Sequence, residues 1–541
     1  MRRSRSRAIA ALLAGCVLAG GAVPVAAQES PAPVGSPAPA PATTPAPSAA
    51  DPSAAPRPDI LVIMLDDHPE IGTAVLERLP NIRRLFLRHG VRFTDYQGND
   101  PLCCPGRAAF LTGLTTDHHG VDRNDIRLLD ASVTLATELQ DAGYFTFMAG
   151  KYLNGGLGPK EPGIGPLPGW DRHAYTTNGF YGYTETRADG RVVRHGRRPQ
   201  DYQPDVAFAR ARSFLRAAPA DRPVFGWITP FATHSGFDPF DDAALRWHYP
   251  AVAPRHRDDP RCADLAPWRT PAHTEPATGE PAYLTEGPED FRDGYDLVRI
   301  CESLLSVDEG IGRLVRELDA RGRRDDALLV LTADNGMGWG AFGWYAKTVP
   351  FSTGMPLLVH WPAGRGRAAA TDPAPVTNLD LAPTLCAAAG CAMGPYADGR
   401  ADPDGISVLP VLTGTGRLVR DAVYLTDRDP EGRAPDWWAV RSTDAYPGGR
   451  WQYAELGTGE TTLHDVSGGP CSAWAPGDPG DPCMLATRAG DPALAALQAD
   501  LAALLARARA SGGADPAIRG RSEPPVAPAS PRPSADPAPA P

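Results

Sequence analysis

The chain has 541 residues, 42% of them apolar and 22% charged. Those proportions belong to a globular protein and exclude both a wholly disordered chain and a polytopic membrane protein. The net charge of −11 argues against a nucleic-acid partner, so any bound anion must be met by local positive charge. In chain order, Arg2, Arg3, Arg5 and Arg7 precede a small-residue apolar run, Ala8 to Val23, and Val25-Ala26-Ala27 fits a cleavage site. Residues 1–27 therefore read as an export signal and the protein as secreted. Gly20, Gly21 and Pro24 weaken the alternative of a spanning anchor. Leu13-Ala14-Gly15-Cys16 resembles a lipoprotein box and keeps open a lipid tether at Cys16. Residues 28–57 hold nine prolines among small residues, a composition that stays extended and builds no core. Residues 512–541 have the same composition and are expected to be a disordered tail. The folded part is expected over 58–511.

Four β-favouring apolar runs each end in polar residues. Asp59 to Leu65 leads into Asp66-Asp67, Phe145 to Met148 into Gly150-Lys151, Val224 to Thr229 toward His234, and Ala327 to Leu331 into Asp334-Asn335. Short continuous apolar runs suit strands buried on both faces. Helical spacing lies between them: Ile82, Leu85, Phe86 and His89 with a stop at Gly90, then Leu135 and Leu139 with a stop at Gly143. Alternating strands and helices predict an α/β fold, a mostly parallel sheet covered by helices. Ligands in such sheets bind beyond the carboxyl ends of the strands, where the four polar clusters would meet. Val423-Tyr424-Leu425 and Trp451 to Ala454 are candidate strands of a smaller C-terminal α+β region, 417–511, closed by a helix over 492–508. Eight cysteines follow Cys16. Local pairing of Cys471 with Cys483 and of Cys386 with Cys391 is expected in an exported chain, and Cys262 with Cys301 is a weaker candidate.

Asp66, Asp67, Asp334 and Asn335 offer only oxygen, which suits a hard divalent cation. A lone Asp pair at a strand end is more often a cap or turn; two pairs after two buried strands favour a metal. Pro105 belongs in the first turn of a helix, which places Cys103 at a helix N-terminus, where thiolates and anions are favoured. A disulfide or buried thiol is the plainer alternative, and Arg107 one turn on could hold an anion or simply pair with an Asp.

Cys103-x-Pro105-x-Arg107 with Leu111-Thr112-Gly113 resembles the signature of the type I sulfatases. Gly143-Tyr144-x-Thr146 with Gly150-Lys151 resembles their second signature. Leu79 to Ile82, His119 to Val121, Ser303 to Glu309, Met355 to Val359, Asn378 to Thr384 and Asp404-Gly405 follow in family order. Pro101 to Pro105, Gly150 to Asn154 and Asp334 to Gly336 are most similar to the N-acetylglucosamine-6-sulfatase and heparan-sulfate 6-O-endosulfatase branch. The resemblance implies an alkaline-phosphatase-like fold for 58–416 and a sulfuric ester hydrolase acting on a sulfated sugar. It implies one Ca²⁺ held by Asp66, Asp67, Cys103, Asp334 and Asn335. It also implies that Cys103 is oxidised to formylglycine by a separate maturation enzyme. The hydrate of formylglycine would attack sulfur through one oxygen and expel sulfate through the other. Arg107 would orient it, Lys151 and Lys347 would bind sulfate oxygens, and His234 would assist at the sulfate or the leaving oxygen. His119 is a structural or catalytic candidate. The chain departs from the family pattern at Gly106, usually Ser or Ala, and at Leu153, often His. It departs again at Gly338, usually His in the glucosamine branch, and at His234-Ser235-Gly236, where His-x-Pro is common. A phosphodiester or phosphonate-ester hydrolase of the same fold is the nearest alternative, and a non-catalytic sugar-binding scaffold the next.

Overall fold

The computed structural model describes residues 57–155, 167–241, 249–287, 294–344, 347–364, 369–430, 432, 434–469, 471 and 478–525. The expected export signal, nearly all of the linker and the last part of the tail lie outside these residues. Among the described residues no helix is long and apolar enough to cross a membrane.

The apolar runs are strands. β1 (Ile60–Leu65), β2 (Val91–Gln97), β3 (Phe145–Lys151), β4 (Arg172–Thr176), β5 (Thr184–Arg187) and β6 (Val192–Arg194) come first. β7 (Val224–Thr229), β8 (Leu328–Ala333), β9 (Leu357–His360) and β10 (Ala370–Thr377) complete one ten-stranded sheet. The spatial order is β10-β2-β9-β8-β1-β7-β3-β4-β5-β6. The centre, β8-β1-β7-β3-β4, is parallel, and β9, β5 and β6 run antiparallel to their neighbours. Every residue of β1, β3, β7 and β8 is buried, so these strands need cover on both faces. Two helix groups supply it. Gln203–Ala217 packs with the long helix Leu297–Ala320, and Cys103–Thr112 packs with Leu135–Asp141 and Leu381–Ala389. The predicted helix around residue 85 is wider at its end than expected. A short α-helix, Pro80–Ile82, runs into a π-helical turn, Arg83–Leu87.

The second sheet is a meander of β12 (Ala422–Asp427), β13 (Trp437–Ser442), β14 (Trp451–Leu456) and β15 (Thr461–Asp465), preceded by the short β11 (Arg417–Val419). Its side chains alternate, as antiparallel strands require. Tyr424, Val440, Tyr453 and Leu463 face the helix Ala495–Ala510 through Leu501, Leu504 and Leu505. Val423, Leu425, Trp437 and Ala439 face Val349 and Leu284 of the larger region. The expectation of a structureless tail from residue 512 is corrected for its first part. Pro516–Arg519 is helical, and β16 (Arg521–Glu523) pairs antiparallel with β11. Proline content alone misled here, because Pro516 sits in the first turn of that helix, where it costs no hydrogen bond. All three expected cysteine pairs, 262–301, 386–391 and 471–483, are disulfides. Cys103 and Cys104 are free.

Candidate active site

Because β8, β1, β7 and β3 are adjacent and parallel, their carboxyl ends deliver Asp334-Asn335, Asp66-Asp67, the His234 loop and Lys151 to one place. Two local features sharpen the delivery. Asp67 adopts a left-handed conformation, φ 55°, which Asp tolerates better than most residues. Its backbone N–H donates to Asp334 Oδ1 at 3.1 Å. Gly150 has φ +118°, and a Cβ there would overlap the Thr229 carbonyl. Only glycine lets β3 close on β7 just before Lys151.

Cys103 is the first residue of its helix. The Cys104 N–H, unsatisfied within the helix, donates to Asn124 Oδ1 at 3.0 Å. Gly106 explains one departure from the family pattern: a Cβ there would overlap the carbonyl oxygen of Asp334 and stand 3.1 Å from its carbon. This chain therefore packs the Cys103 helix directly on the end of β8.

Cys103 Sγ lies 3.9 Å from Asp66 Oδ1, 3.8 Å from Asp67 Oδ1 and 3.0 Å from Lys347 Nζ. Burial pushes its thiol up to about 12, against the pull of Lys151 and Lys347. Lys151 Nζ is 2.7 Å from Asp66 Oδ2. Lys347 Nζ contacts Asp67 Oδ1 and donates to Asn335 Oδ1 at 3.2 Å. Burial alone would raise both aspartates. Lys151, His234 and Arg107 instead hold Asp66 below the usual carboxylate range, and Lys347, His234 and Lys151 do the same for Asp67. Burial and the neighbouring Asp66 push Asp334 the other way, upward, although Arg107 and Lys151 oppose them.

Arg107 is fully buried. Its Nε donates to Asp334 Oδ2 at 2.9 Å, and Nη1 donates to the carbonyls of Lys151 (2.6 Å) and Tyr152 (3.1 Å). It braces the helix against the ends of β8 and β3. Nη2 has no hydrogen-bond partner among the described residues and stands 3.6 Å from Asp66 Oδ2.

The sequence-predicted residues thus converge, with two refinements. The four side chains whose donor atoms all lie within 4.8 Å of one another are Asp66, Asp67, Cys103 and His234. His234 Nε2 is 3.2 Å from Asp67 Oδ2, so it borders the aspartates as well as Cys103. Both carboxylate oxygens of Asp334 are engaged, by Arg107 and by the Asp67 N–H. His119 stands outside the cluster: it is buried, its Nδ1 accepts from the Val121 N–H at 3.0 Å, and burial lowers its pKa to about 3. Leu153 is core, and Asn154 donates to Cys104 Sγ at 2.9 Å. Sequence reasoning missed His68 and Thr233, which buttress the loop that carries Asp66 and Asp67. His68 Nδ1 lies 3.0 Å from Thr233 Oγ1, and that hydroxyl donates to the Asp67 carbonyl at 3.3 Å. Adjacency to Asp66-Asp67 was a signal for His68. Nothing local marked Thr233 or Asn124.

A family model described as Sulfatase matches residues 58–391. The chain belongs to the sulfatase family. It is accordingly a sulfuric ester hydrolase. It is 28% identical over 394 residues to an N-acetylglucosamine-6-sulfatase of Capra hircus, covering 70% of this chain and 67% of that protein. It is 28% identical over 387 residues to an extracellular sulfatase SULF-1 homolog of Drosophila melanogaster, covering 68% of this chain but 32% of the relative. A solved protein in complex with its substrate D-glucosamine-2-N,6-O-disulfate shares the fold, with a TM-score of 0.62, 21% identity, and coverage of 84% of this chain and 98% of that one. A phosphonate monoester hydrolase from Silicibacter pomeroyi shares it too, at TM-score 0.60 and 22% identity, covering 84% and 96%.

Proposed function

We propose that this sulfatase hydrolyses a sulfate ester on a sugar, through formylglycine formed from Cys103 and with one divalent cation, Ca²⁺, at the aspartate cluster. One observation carries the reading. A buried cysteine at a helix start is ringed within 4 Å by Asp66, Asp67 and Lys347, with Lys151 and Arg107 bound to the same carboxylates. The N-acetylglucosamine-6-sulfatase relatives and the glucosamine disulfate complex favour a sulfated amino sugar.

The residues present fit both implied groups. Asp66, Asp67, Asp334 and Asn335 offer hard oxygen donors, with His234 at their border, and would hold the cation beside residue 103, where it would acidify an adjacent oxygen. Arg107 Nη2 is a buried donor with no hydrogen-bond acceptor among the described residues, its nearest carboxylate being Asp66 at 3.6 Å, and formylglycine at position 103 would supply oxygen where the thiol now stands. When formed, that residue supplies as its hydrate one oxygen to attack sulfur and a second whose deprotonation expels sulfate.

The remaining work belongs to ordinary side chains. Arg107 fixes residue 103 against β8 and β3. Lys151 and Lys347 turn from the aspartates to the sulfate oxygens, where preorganised charge stabilises the transition state. His234, about a quarter exposed, faces the open side and protonates the departing sugar oxygen. A maturation enzyme is required, and we place the protein outside the cell on the strength of its first 27 residues.

Co-expression with a formylglycine-generating enzyme, followed by peptide mass spectrometry and assay, tests this. The expected result is conversion at Cys103, with aryl sulfate turned over far faster than aryl phosphodiester. An active preparation with an unmodified Cys103 would overturn the mechanism, and a reversed preference would point to the phosphodiester alternative.

A further inference from the structure

Beside the cluster lies a cavity of about 570 Å³, within the range of small-ligand sites. Pro69, Met337 and Gly338 line it. Pro69 is two residues beyond Asp67 and Gly338 three beyond Asn335, so at full extension their Cα atoms lie at most about 7 and 11 Å from those residues. The far wall comes from the second sheet, through Arg441, Arg450 and Gln452.

Of the three arginines lining the cavity, two pair with carboxylates. Arg92 is 2.7 Å from Glu70. Arg450 is 2.7 Å from Asp95 and 3.4 Å from the largely exposed Asp444. Arg441 has no carboxylate within ion-pair distance among the described residues. Its one hydrogen bond there runs from Nη1 to Gln452 Oε1 at 3.1 Å, its cross-strand neighbour, and its Nε is buried without a partner. Burial holds its pKa below the ordinary guanidinium range, with Asp95 opposing and Arg450 adding to the effect. A guanidinium nevertheless stays charged. A half-buried fork with free donors is the geometry that recognises carboxylate or sulfate in bidentate fashion. Trp268, Phe342 and Phe351 line the same space and offer apolar faces to a sugar ring.

We infer that this cavity is a second oxyanion subsite of the substrate cleft, in which Arg441 holds a carboxylate or sulfate group elsewhere on the sulfated saccharide. The inference rests on the sulfatase reading and adds to it a preference for multiply anionic sugars. Arg441 is then a specificity residue remote from the reacting atoms, so its loss raises KM more than it lowers kcat.

The test compares wild type, Arg441→Met and Arg441→Lys, each matured and matched in melting temperature. The substrates are 4-nitrophenyl sulfate, 6-O-sulfo-N-acetylglucosamine, 2-N,6-O-disulfoglucosamine and a uronate-containing disaccharide of 6-O-sulfoglucosamine. We expect Arg441→Met to lose about 10- to 100-fold in kcat/KM on one or both doubly anionic sugars, the scale of a charged hydrogen bond. The aryl sulfate should be unaffected, and Arg441→Lys should recover part of the loss. Whichever sugar responds identifies the anion as N-sulfate or carboxylate. Equal effects on singly and doubly anionic sugars, or none, would overturn the subsite while leaving the sulfatase reading standing. If wild type turns over no sulfate ester at all, that reading fails instead. Titration calorimetry of the two doubly anionic sugars then decides the subsite: tenfold tighter binding of either by wild type than by Arg441→Met supports it, and equal affinity for both overturns it.

Discussion

Replacing Gly106 with Ala separates positioning from stability in this site. The new Cβ would overlap the Asp334 carbonyl oxygen and stand 3.1 Å from its carbon. Ordinary C···O approach is about 3.3–3.6 Å, so the helix must withdraw from the end of β8 by on the order of 1 Å. Thermodynamically the substitution is nearly balanced. Ala gains about 1 kcal/mol over Gly inside a helix, and overpacking costs about 1–3 kcal/mol. The net loss of about 0–2 kcal/mol should lower Tm by only a few degrees in a chain of this size. The catalytic consequence is larger. Residue 103 moves with the helix, away from Asp66, Asp67 and Lys347, and a 1 Å misplacement costs about 10²-fold in rate. The assay is kcat/KM for aryl sulfate on preparations with equal formylglycine content by mass spectrometry, beside a melting curve. Wild-type kcat/KM in fully converted Gly106→Ala would refute the claim that close packing of this helix sets the position of residue 103.

Lys347→Ala should lower kcat/KM by on the order of 10²-fold or more, as expected for losing a charged transition-state contact. It should also lower Tm, because Asp67 loses its nearest cation. Near-normal kinetics in matured enzyme would return Lys347 to a structural role. Chelation should abolish activity and lower Tm, and Ca²⁺ should restore both; indifference to chelators together with a metal-free elemental analysis would remove the cation from the mechanism. Glu185, buried on β5 next to the edge strand β6, provides a pH test away from the site. Burial alone would raise its pKa, but His195, Arg210 and Arg187 outweigh it and hold the carboxyl at about 2 against an ordinary 4.5. Its stabilisation is therefore complete above pH 4.5 and is lost as pH falls toward 2. Glu185→Gln should melt below wild type at pH 7, and the gap should narrow on acidification; a pH-independent gap would contradict this.

Much of this architecture is legible along the chain because its signals are local. Continuous apolar runs ending in Asp-Asp, Gly-Lys and Asp-Asn announce buried parallel strands and the edge where their ends meet. Pro105 announces the helix that starts at Cys103. Other features depend on partners hundreds of residues apart. Asp334 stands next to Asn335 in sequence, but only the fold shows its oxygens accepting from Arg107 and from the Asp67 N–H. Lys347 lies on an irregular segment whose place is set by the second sheet. Trp437 Nε1 donates to the Thr348 carbonyl at 2.9 Å, and Gln452 Nε2 to that of Pro350 at 3.0 Å. His119 falls outside the cluster, and Gly106 proves to be a contact between helix and strand end. Periodicity and turn chemistry record what each segment does with its own backbone. Where a buried charge finds its counter-charge is decided only when the sheet order brings the two together, because the cost of leaving either unpaired is paid in the folded interior.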